Sequence, residues 1–263
     1  MLPVLLDLKV IKIYTFGVFL VLAFFWSLFW LWRNLKRTSF KEEEIFDGVF
    51  VSLIGGFLGA RLLYVALHFD KFGFDILKFI LVNGYPGLSM IGFLMGGLIS
   101  LLIFTIIVNI SFLEVAAYIV PSLFLALGIG KIGSFFSGST VGSTTDFLLS
   151  VQYLGYPGLR HITAVYEAII MFAGCIISQR LLMSYRRDSV HEGTLLSFFI
   201  IMVGISEMIL DNFKHDPVYL GRLPFNVIIS GVFVLIFGVW ELYKYRDSII
   251  SSVIKMRGTR AQK

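Results

Sequence analysis

The chain has 263 residues, of which 57% are hydrophobic and only 15% are charged. Soluble domains carry about 25% charged residues, so this composition excludes an ordinary soluble protein and indicates one that is surrounded by lipid. The single cysteine, Cys175, excludes an intramolecular disulfide and a cysteine-based metal cluster. An α-helix needs about 20 apolar residues to cross a bilayer, and seven stretches of that kind predict seven spans. They lie near residues 14–32, 46–68, 88–108, 115–136, 163–182, 194–213 and 225–243.

The spans are joined by short loops without a repeat or a flexible linker, which predicts an all-α polytopic integral membrane protein with a single domain over residues 1–263. The first span is not expected to be a cleavable signal, since it is too long and lacks an early basic end. Thirteen Lys and Arg residues fall on one side of the predicted bilayer and eight on the other. Basic loops favour the cytoplasm, so we expect the N-terminus outside and the C-terminus inside. The net charge of +5 therefore does not indicate a nucleic-acid partner.

The second span contains a charged residue, Arg61, within the sequence IGGFLGARLLYV. A charge inside a span costs on the order of a few kcal/mol and therefore suggests a functional site. The alternative is that Arg61 lies near the helix end and extends its head group to the interface. Glycines four residues apart, such as Gly55 and Gly59 or Gly92 and Gly96, predict close packing between helices.

The fourth span ends in a glycine-rich and hydroxyl-rich sequence, GIGKIGSFFSGSTVG, over residues 128–142. Its G-x-G-x-x-G spacing does not indicate a dinucleotide site, because no strand–helix–strand unit surrounds it. We expect a helix that ends in a turn at the outer face, where backbone N–H groups and the Lys131 ammonium form a phosphate cradle. A simple exit loop is the alternative.

Ionisable residues also gather where the fifth span starts and the sixth span ends, at the same predicted leaflet as Lys131. They are Arg160, His161, Tyr166, Glu167, Glu207, Asp211 and Lys214. Acidic residues in a span should face the interior of the helix bundle, so we expect a pair between Glu207 and Arg61 or between Asp211 and Lys131. A mixed-charge cavity with apolar walls fits a phospholipid, whose head group is polar and whose tails are apolar.

Several motifs, in order along the chain, resemble those of the prolipoprotein diacylglyceryl transferases. GARLLYV resembles the family's G-G-R-x-G-Y-V, and GKIGSFFSGSTVG resembles G-R-x-G-N-F-x-N-G-E-x-x-G. RHITAVYEA resembles R-H-P-S-Q-L-Y-E, and GISEMILDNFKHD resembles G-x-x-R-x-x-x-E-x-x-R. The resemblance implies a bacterial inner-membrane enzyme that moves diacylglyceryl from phosphatidylglycerol to the thiol of a lipobox cysteine. Glycerol phosphate leaves, and neither a metal nor an organic cofactor takes part.

The resemblance also implies roles for individual residues. Arg61 and Lys131 would hold the lipid phosphate. His161 is the best remaining candidate for the base that takes the thiol proton, because an imidazole titrates near neutral pH; the alternative for His161 is a structural hydrogen bond at the start of the helix. The implied catalytic residues are His161, Arg61 and Glu207. The implied substrate-binding residues are Lys131, Ser134, Gly142, Arg160, Tyr64, Tyr166, Glu167, Asp211 and Lys214. The implied partners are phosphatidylglycerol, a preprolipoprotein lipobox peptide and membrane lipids, and the chain is expected to be a monomer.

The chain departs from the family pattern at positions that carry chemistry. Arginines are replaced by Lys131 and by Glu207, the second of which reverses the charge. At the other departures, Ser134 replaces an asparagine and Ser139 replaces an acidic residue. Met95 replaces a histidine, and Phe16 replaces a tyrosine. The second hypothesis is therefore a phospholipid-binding membrane protein that has lost catalysis. A third, a small-solute transporter, is weakened by the absence of an inverted repeat.

Overall fold

The protein is described by a computed structural model that covers residues 2–7, 12–36, 38, 40–81, 84–215, 217–220 and 222–260, without the side chains of 76 and 247–260. The helices of this part of the chain are α1 (Thr15–Leu35), α2 (Glu42–Leu67), α3 (Phe69–Phe72), α4 (Ile76–Ile80), α5 (Met90–Val108), α6 (Phe112–Ser137), α7 (Thr163–Tyr185), α8 (Thr194–Leu210) and α9 (Phe225–Arg260). A 3-10 turn, Asp211–Phe213, follows α8.

Among the described residues there are three short antiparallel hairpins, one before α1, one between α6 and α7 and one between α8 and α9. They pair β1 (Val4–Asp7) with β2 (Lys12–Tyr14), β3 (Ser150–Gln152) with β4 (Leu159–His161), and β5 (Tyr219–Leu220) with β6 (Leu223–Pro224). The sequence predicts none of these hairpins, because strands of two to four residues leave too short a pattern to detect.

Seven helices are long and apolar enough to cross a bilayer, which confirms the predicted all-α polytopic membrane protein. The membrane-spanning stretches of these helices, of which the last is residues 225–246 of α9, agree with the predicted spans to within four residues. The orientation of the termini remains a prediction, and three residues that contribute to it, Lys9, Arg37 and Lys263, lie outside the described part of the chain.

The chain folds as two compact units, residues 32–116 and residues 1–31 with 117–263. The prediction of a single domain remains a prediction. In the 32–116 unit, α2 packs along α5 through the predicted glycines. A Cβ atom on Gly59 would lie 2.5 Å from the carbonyl oxygen of Gly92 and 2.9 Å from the Cα of Gly96. The two backbones are therefore in direct contact, which is how helices associate where lipid supplies no hydrophobic force.

In the other unit, α6, α7 and α8 pack around Phe124, whose side chain is completely buried. The ring of Phe124 meets that of Phe199 edge to face at 5.0 Å. It also fills the space left by Gly174, where a Cβ would lie 2.5 Å from the ring. This aromatic core fixes the three helices that carry five of the predicted site residues, Lys131, Ser134, Tyr166, Glu167 and Glu207.

The same unit has a small non-helical layer where α6 and α8 end and α7 begins. Helix α6 ends at Ser137, and the next residue, Gly138, has a φ of +72° that is unfavourable for other residues. The chain then runs extended, and Gly142 pairs with Lys214 while Thr144 pairs with Arg160. This layer places the residues around 142, 160 and 214 beside one another.

Candidate functional site

The centre of the candidate site is a group of five charged side chains from α6, α7, α8 and the turn that follows α8. We call it the ion network, and its members are Lys131, Glu167, Glu207, Asp211 and Lys214. The Lys131 ammonium lies 2.5 Å from Oε2 of Glu167 and 3.7 Å from Oε1 of Glu207. One basic side chain on α6 is thus bound to an acidic side chain on each of α7 and α8.

Lys214 contacts all three carboxylates of the ion network. Its Nζ lies 2.8 Å from Oε2 of Glu207 and 2.9 Å from Oδ1 of Asp211. The remaining contact, to Oε1 of Glu167, is 3.3 Å long. The amide of Asn226, at the start of α9, donates to Oδ1 of Asp211 at 3.0 Å, so α9 also contributes to the group.

The layering of the ion network places its positive groups outermost. The side chains of Lys131 and Lys214 are 13% and 18% exposed, whereas that of Glu167 is fully buried. Burial acts to lower the pKa of the Lys214 ammonium, but the three carboxylates around it outweigh burial and raise this pKa above its ordinary value. Lys214 is therefore charged at neutral pH. Two ammonium groups face three carboxylates, so the network has one negative charge in excess.

The hydroxyl-rich turn after α6 is held together by its own side chains. The Ser134 hydroxyl shares hydrogen bonds with Ser139 at 2.9 Å and with Thr140 at 2.7 Å. Ser134 is buried and lies one helical turn after Lys131. The turn predicted at the outer end of this helix is present, and its hydroxyls bond to one another.

Arg160 and His161 are positioned by β4 and by the extended segment that follows the turn. Arg160 is buried, donates from Nη1 to the carbonyl of Gly142 at 3.0 Å, and stacks over the Tyr156 ring at 5.0 Å. The amide of His161 donates to the carbonyl of Ser143 at 3.1 Å. Gly142 is required here because a Cβ would collide with the carbonyl oxygen of His161.

An aromatic hollow of about 330 Å³ lies beside this layer, and Phe147, His161, Tyr166 and Phe213 line it. The His161 ring lies 5.0 Å from that of Phe213, 6.2 Å from that of Phe147 and 6.3 Å from that of Tyr166. The buried Nδ1 atom of His161 has no hydrogen-bond partner within the described residues. The Tyr166 hydroxyl donates to the carbonyl of Leu149 at 2.8 Å, which fixes this wall of the hollow.

Arg61 lies in the 32–116 unit, where it is buried and all three of its side-chain nitrogens donate to backbone carbonyls. Nη2 and Nε bind the carbonyls of Lys78 and Phe79 at 2.7 and 2.8 Å. Nη1 binds those of Tyr85 and Gly87 at 2.8 and 3.0 Å. Arg61 thus connects the last turn of α4 to the chain that enters α5, and its predicted contact with a phosphate is untested.

Tyr64, one turn after Arg61, belongs to the same arrangement. Its ring stacks on that of His68 at 4.3 Å and lies directly against Gly87, where no Cβ would fit. The substrate-binding role predicted for Tyr64 also remains a prediction.

The ion pairs differ from those expected from the sequence. Glu207 pairs with Lys131 and Lys214 instead of Arg61, and Asp211 pairs with Lys214 instead of Lys131. The physical reason is proximity within the bundle: α6 and α7 present Lys131 and Glu167 to α8, and the turn after α8 folds Lys214 back over its own carboxylates.

The comparison with known families gives one result for nearly the whole chain. The family model described as prolipoprotein diacylglyceryl transferase matches residues 3–243. The chain belongs to this family. A relative from Clostridium tetani, named phosphatidylglycerol–prolipoprotein diacylglyceryl transferase, is 30% identical over 82% of this chain and 86% of its own length. Relatives with the same name from Clostridioides difficile and Streptococcus agalactiae are 27% and 25% identical, over 77% and 95% of this chain. The matches cover 79% and 98% of the lengths of these two relatives.

Two of the six positions at which this chain departs from the motifs of the prolipoprotein diacylglyceryl transferase family lie inside the ion network. Lys131 and Glu207 stand where the family motifs have arginines, and here they contact each other at 3.7 Å. The negative charge of Glu207, which reverses that of the motif's arginine, is thus partly neutralised by its ion pair with Lys131.

Sequence reasoning missed Asn226 and the aromatic residues Phe147 and Phe213. A polar Asn226 at the start of an apolar span was a usable signal, because polar groups in spans face protein partners. Phe147 and Phe213 gave no signal, since phenylalanine is common throughout this chain. Among the described residues, no group of three His, Cys, Asp or Glu side chains is arranged to hold a metal ion.

Proposed function

We propose that this protein is a phosphatidylglycerol–prolipoprotein diacylglyceryl transferase that acts as a monomer in the bacterial plasma membrane. The observation that supports the proposal most is the family match over residues 3–243, in a chain with seven membrane-spanning helices. The substrates are those that the names of the relatives state: phosphatidylglycerol and a prolipoprotein.

The proposed reaction is a displacement at the glycerol carbon that carries the phosphate. The sulfur of the acceptor cysteine forms a bond to this carbon, the carbon–oxygen bond to phosphate breaks, and glycerol phosphate leaves with both electrons of that bond. The thiol proton goes to a base, for which we propose His161, whose ring lines the aromatic hollow. The leaving phosphate needs positive groups that are already in place.

The layering of the ion network supports a role in holding that phosphate. The ammonium groups of Lys131 and Lys214 are its most exposed parts, and the carboxylates beneath them fix their positions. An anion that arrives from the exposed side meets these ammonium groups first. Positive groups that are held in place before the substrate binds stabilise developing charge without the cost of reorganisation. We therefore assign phosphate binding to Lys131 and Lys214, with Arg160 beside them in the adjacent layer.

The experiment is a transfer assay with the full chain in liposomes that contain phosphatidylglycerol labelled in its diacylglyceryl part. A synthetic peptide with an acceptor cysteine is added, and mass spectrometry follows the addition of diacylglyceryl to the thiol. We expect transfer by the wild type and a loss of about 100-fold or more in Lys131→Ala, as for removal of one group that stabilises a developing anion. The exposed Lys41→Ala is the matched control and should keep wild-type activity. A complementation test in a strain depleted of its own transferase gives the same answer in cells.

A specific observation favours one alternative, a phospholipid-binding protein without catalysis. The ion network holds one more negative than positive group, and this excess opposes the developing charge of a leaving phosphate. Binding of phosphatidylglycerol without transfer, and without complementation, would establish this alternative and reject the transferase.

A further inference from the structure

The aromatic hollow selects an apolar occupant of limited size. Its four lining side chains include no carboxylate or ammonium group. Its volume of about 330 Å³ is at the lower end of ligand pockets and is enough for one or two side chains. Phe147 is 53% exposed and Phe213 is 39% exposed, so the hollow opens to the outside.

The hollow lies at one end of a strand that has a free edge. Strand β3 pairs with β4 and with no other strand in the part of the chain that the structure describes. Ser150, its first residue, pairs with His161, which lines the hollow, and Phe147 stands three residues earlier. On its other side β4 continues through the pairing of Arg160 with Thr144, so the opposite edge of the layer is already occupied.

An edge strand beside an apolar pocket is the geometry by which proteins bind extended peptides. The backbone of the peptide adds to the free edge, and one of its side chains enters the pocket. A lipid tail would use the hollow but has no groups that pair with a strand edge. We infer that the β3 edge and the aromatic hollow bind the acceptor peptide in an extended conformation, with one apolar side chain in the hollow.

The inference rests on the proposed function, because it names the peptide as the acceptor of that reaction. It assigns to Phe147, Tyr166 and Phe213 a role in choosing the acceptor sequence. His161, which is also a wall of the hollow, lies on β4, so strand β3 stands between it and the free edge. Phe213 is directly followed by Lys214, so the acceptor site and the ion network share one turn of the chain.

The test measures binding alone, with the full chain in nanodiscs of phosphatidylcholine, so that no donor lipid is present. The probes are a fluorescent peptide with a cysteine preceded by apolar residues, and versions in which each apolar residue in turn is replaced by serine. For the wild type we expect one replacement to weaken binding about tenfold or more. In Phe213→Ala that same replacement should lose most of its effect, because a coupling between two groups disappears when either one is removed.

Two further variants protect the test against a folding artefact. Phe147→Leu changes a more exposed wall of the hollow. Like Phe213→Ala, it should reduce the tenfold loss of binding that the serine replacement causes in the wild type. Leu148→Ala is the matched control, because Leu148 is 91% exposed in the same loop and does not line the hollow. It should leave the effect unchanged.

The inference is overturned if no peptide binds, or if the same replacement weakens binding equally in the wild type and in Phe213→Ala. It is also overturned if Phe213→Ala changes the affinity for phosphatidylglycerol and not for the peptide, since a lipid tail then occupies the hollow. Transfer activity does not enter this measurement. If the protein catalyses transfer but fails the peptide-binding test, only the inference is rejected. If it binds the peptide but does not catalyse transfer, only the proposed reaction is rejected.

Discussion

Glu207 is a residue at which one negative charge of the ion network can be removed without changing the shape of the side chain. Its carboxylate contacts Lys131 at 3.7 Å and Lys214 at 2.8 Å. Replacement of Glu207 by glutamine keeps the shape and removes the excess negative charge that faces an arriving phosphate. We expect Glu207→Gln to bind phosphatidylglycerol several-fold more tightly than the wild type. Isothermal titration with a short-chain phosphatidylglycerol in detergent would measure the change.

A matched variant separates charge from side-chain shape at this position. Glu207→Asp keeps the carboxylate and should bind the lipid with nearly wild-type affinity, with some loss of stability from the shorter side chain. Equal or weaker lipid binding by Glu207→Gln would mean that the carboxylate supports lipid binding by positioning the lysines, and that its charge does not oppose the phosphate.

Arg61 gives a second prediction, about stability. Its guanidinium is buried and forms four hydrogen bonds to backbone carbonyls. Arg61→Ala would leave these carbonyls without their donor, at a cost on the order of 3 kcal/mol. We expect the melting temperature in detergent to fall by several degrees and hydrogen exchange to rise near Lys78 and Tyr85.

Arg61→Lys is expected to rescue little of this loss, because one ammonium group cannot reach acceptors on both sides as a planar guanidinium does. The exposed Arg222→Ala serves as control and should melt like the wild type. An Arg61→Ala protein with unchanged stability and weakened lipid binding would instead support the role on the lipid phosphate that the motif implies.

The site shows which part of a residue's role can be predicted from sequence. The spacing of Glu207, Asp211 and Lys214 predicts one helix face and an orientation toward the bundle, and all three do meet in the ion network. The partner of Glu207 is not predictable, because periodicity gives a face and does not give the neighbouring helix. For Arg61 the acceptors are backbone carbonyls, which every residue carries, so no sequence pattern reveals them.

At the scale of elements, the contact between α2 and α5 leads to a third prediction. No side chain fits at Gly59, since a Cβ would lie 2.5 Å from the carbonyl of Gly92. Gly59→Leu should therefore force the two helices apart. We expect a large loss of folded protein in detergent, measured as the monodisperse fraction in size-exclusion chromatography and as a lower melting temperature.

The control is a glycine in a helix with free space around it. At Gly238 on α9, no atom of the described residues lies within 4 Å of the position that a Cβ would occupy, apart from the adjacent residues and the backbone of α9 itself, so Gly238→Leu should fold like the wild type. A Gly59→Leu protein that is as stable as Gly238→Leu would contradict direct backbone contact between α2 and α5.

The elements themselves divide by length into those that sequence predicts and those that it does not. The seven spans are predictable because each is a long apolar run, and lipid requires such runs to be helical. Helix α5 shows the limit of this reasoning: the apolar run predicts a start near residue 88, whereas the helix begins at Met90 after Ser89, whose hydroxyl accepts from the Gly92 amide. The short α3 and α4 and the three hairpins have too few residues for a periodic signal, and their formation depends on contacts made elsewhere in the chain.

At the scale of the whole molecule, the distribution of basic residues predicts orientation, and labelling from outside the cell tests it. The only native cysteine, Cys175, is buried, so the wild-type chain should not react with a membrane-impermeant maleimide in intact cells. Asp146, in the loop between α6 and α7, and Ser189, in the loop between α7 and α8, are both exposed. Basic residues concentrate on the Ser189 side, so Asp146→Cys should react in intact cells and Ser189→Cys only after the membrane is opened. The reverse pattern would place the ion network and the aromatic hollow, which belong to the Asp146 side of the bundle, in the cytoplasm. Such a result would contradict the predicted position of the turn after α6 and of the ionisable residues at the outer face.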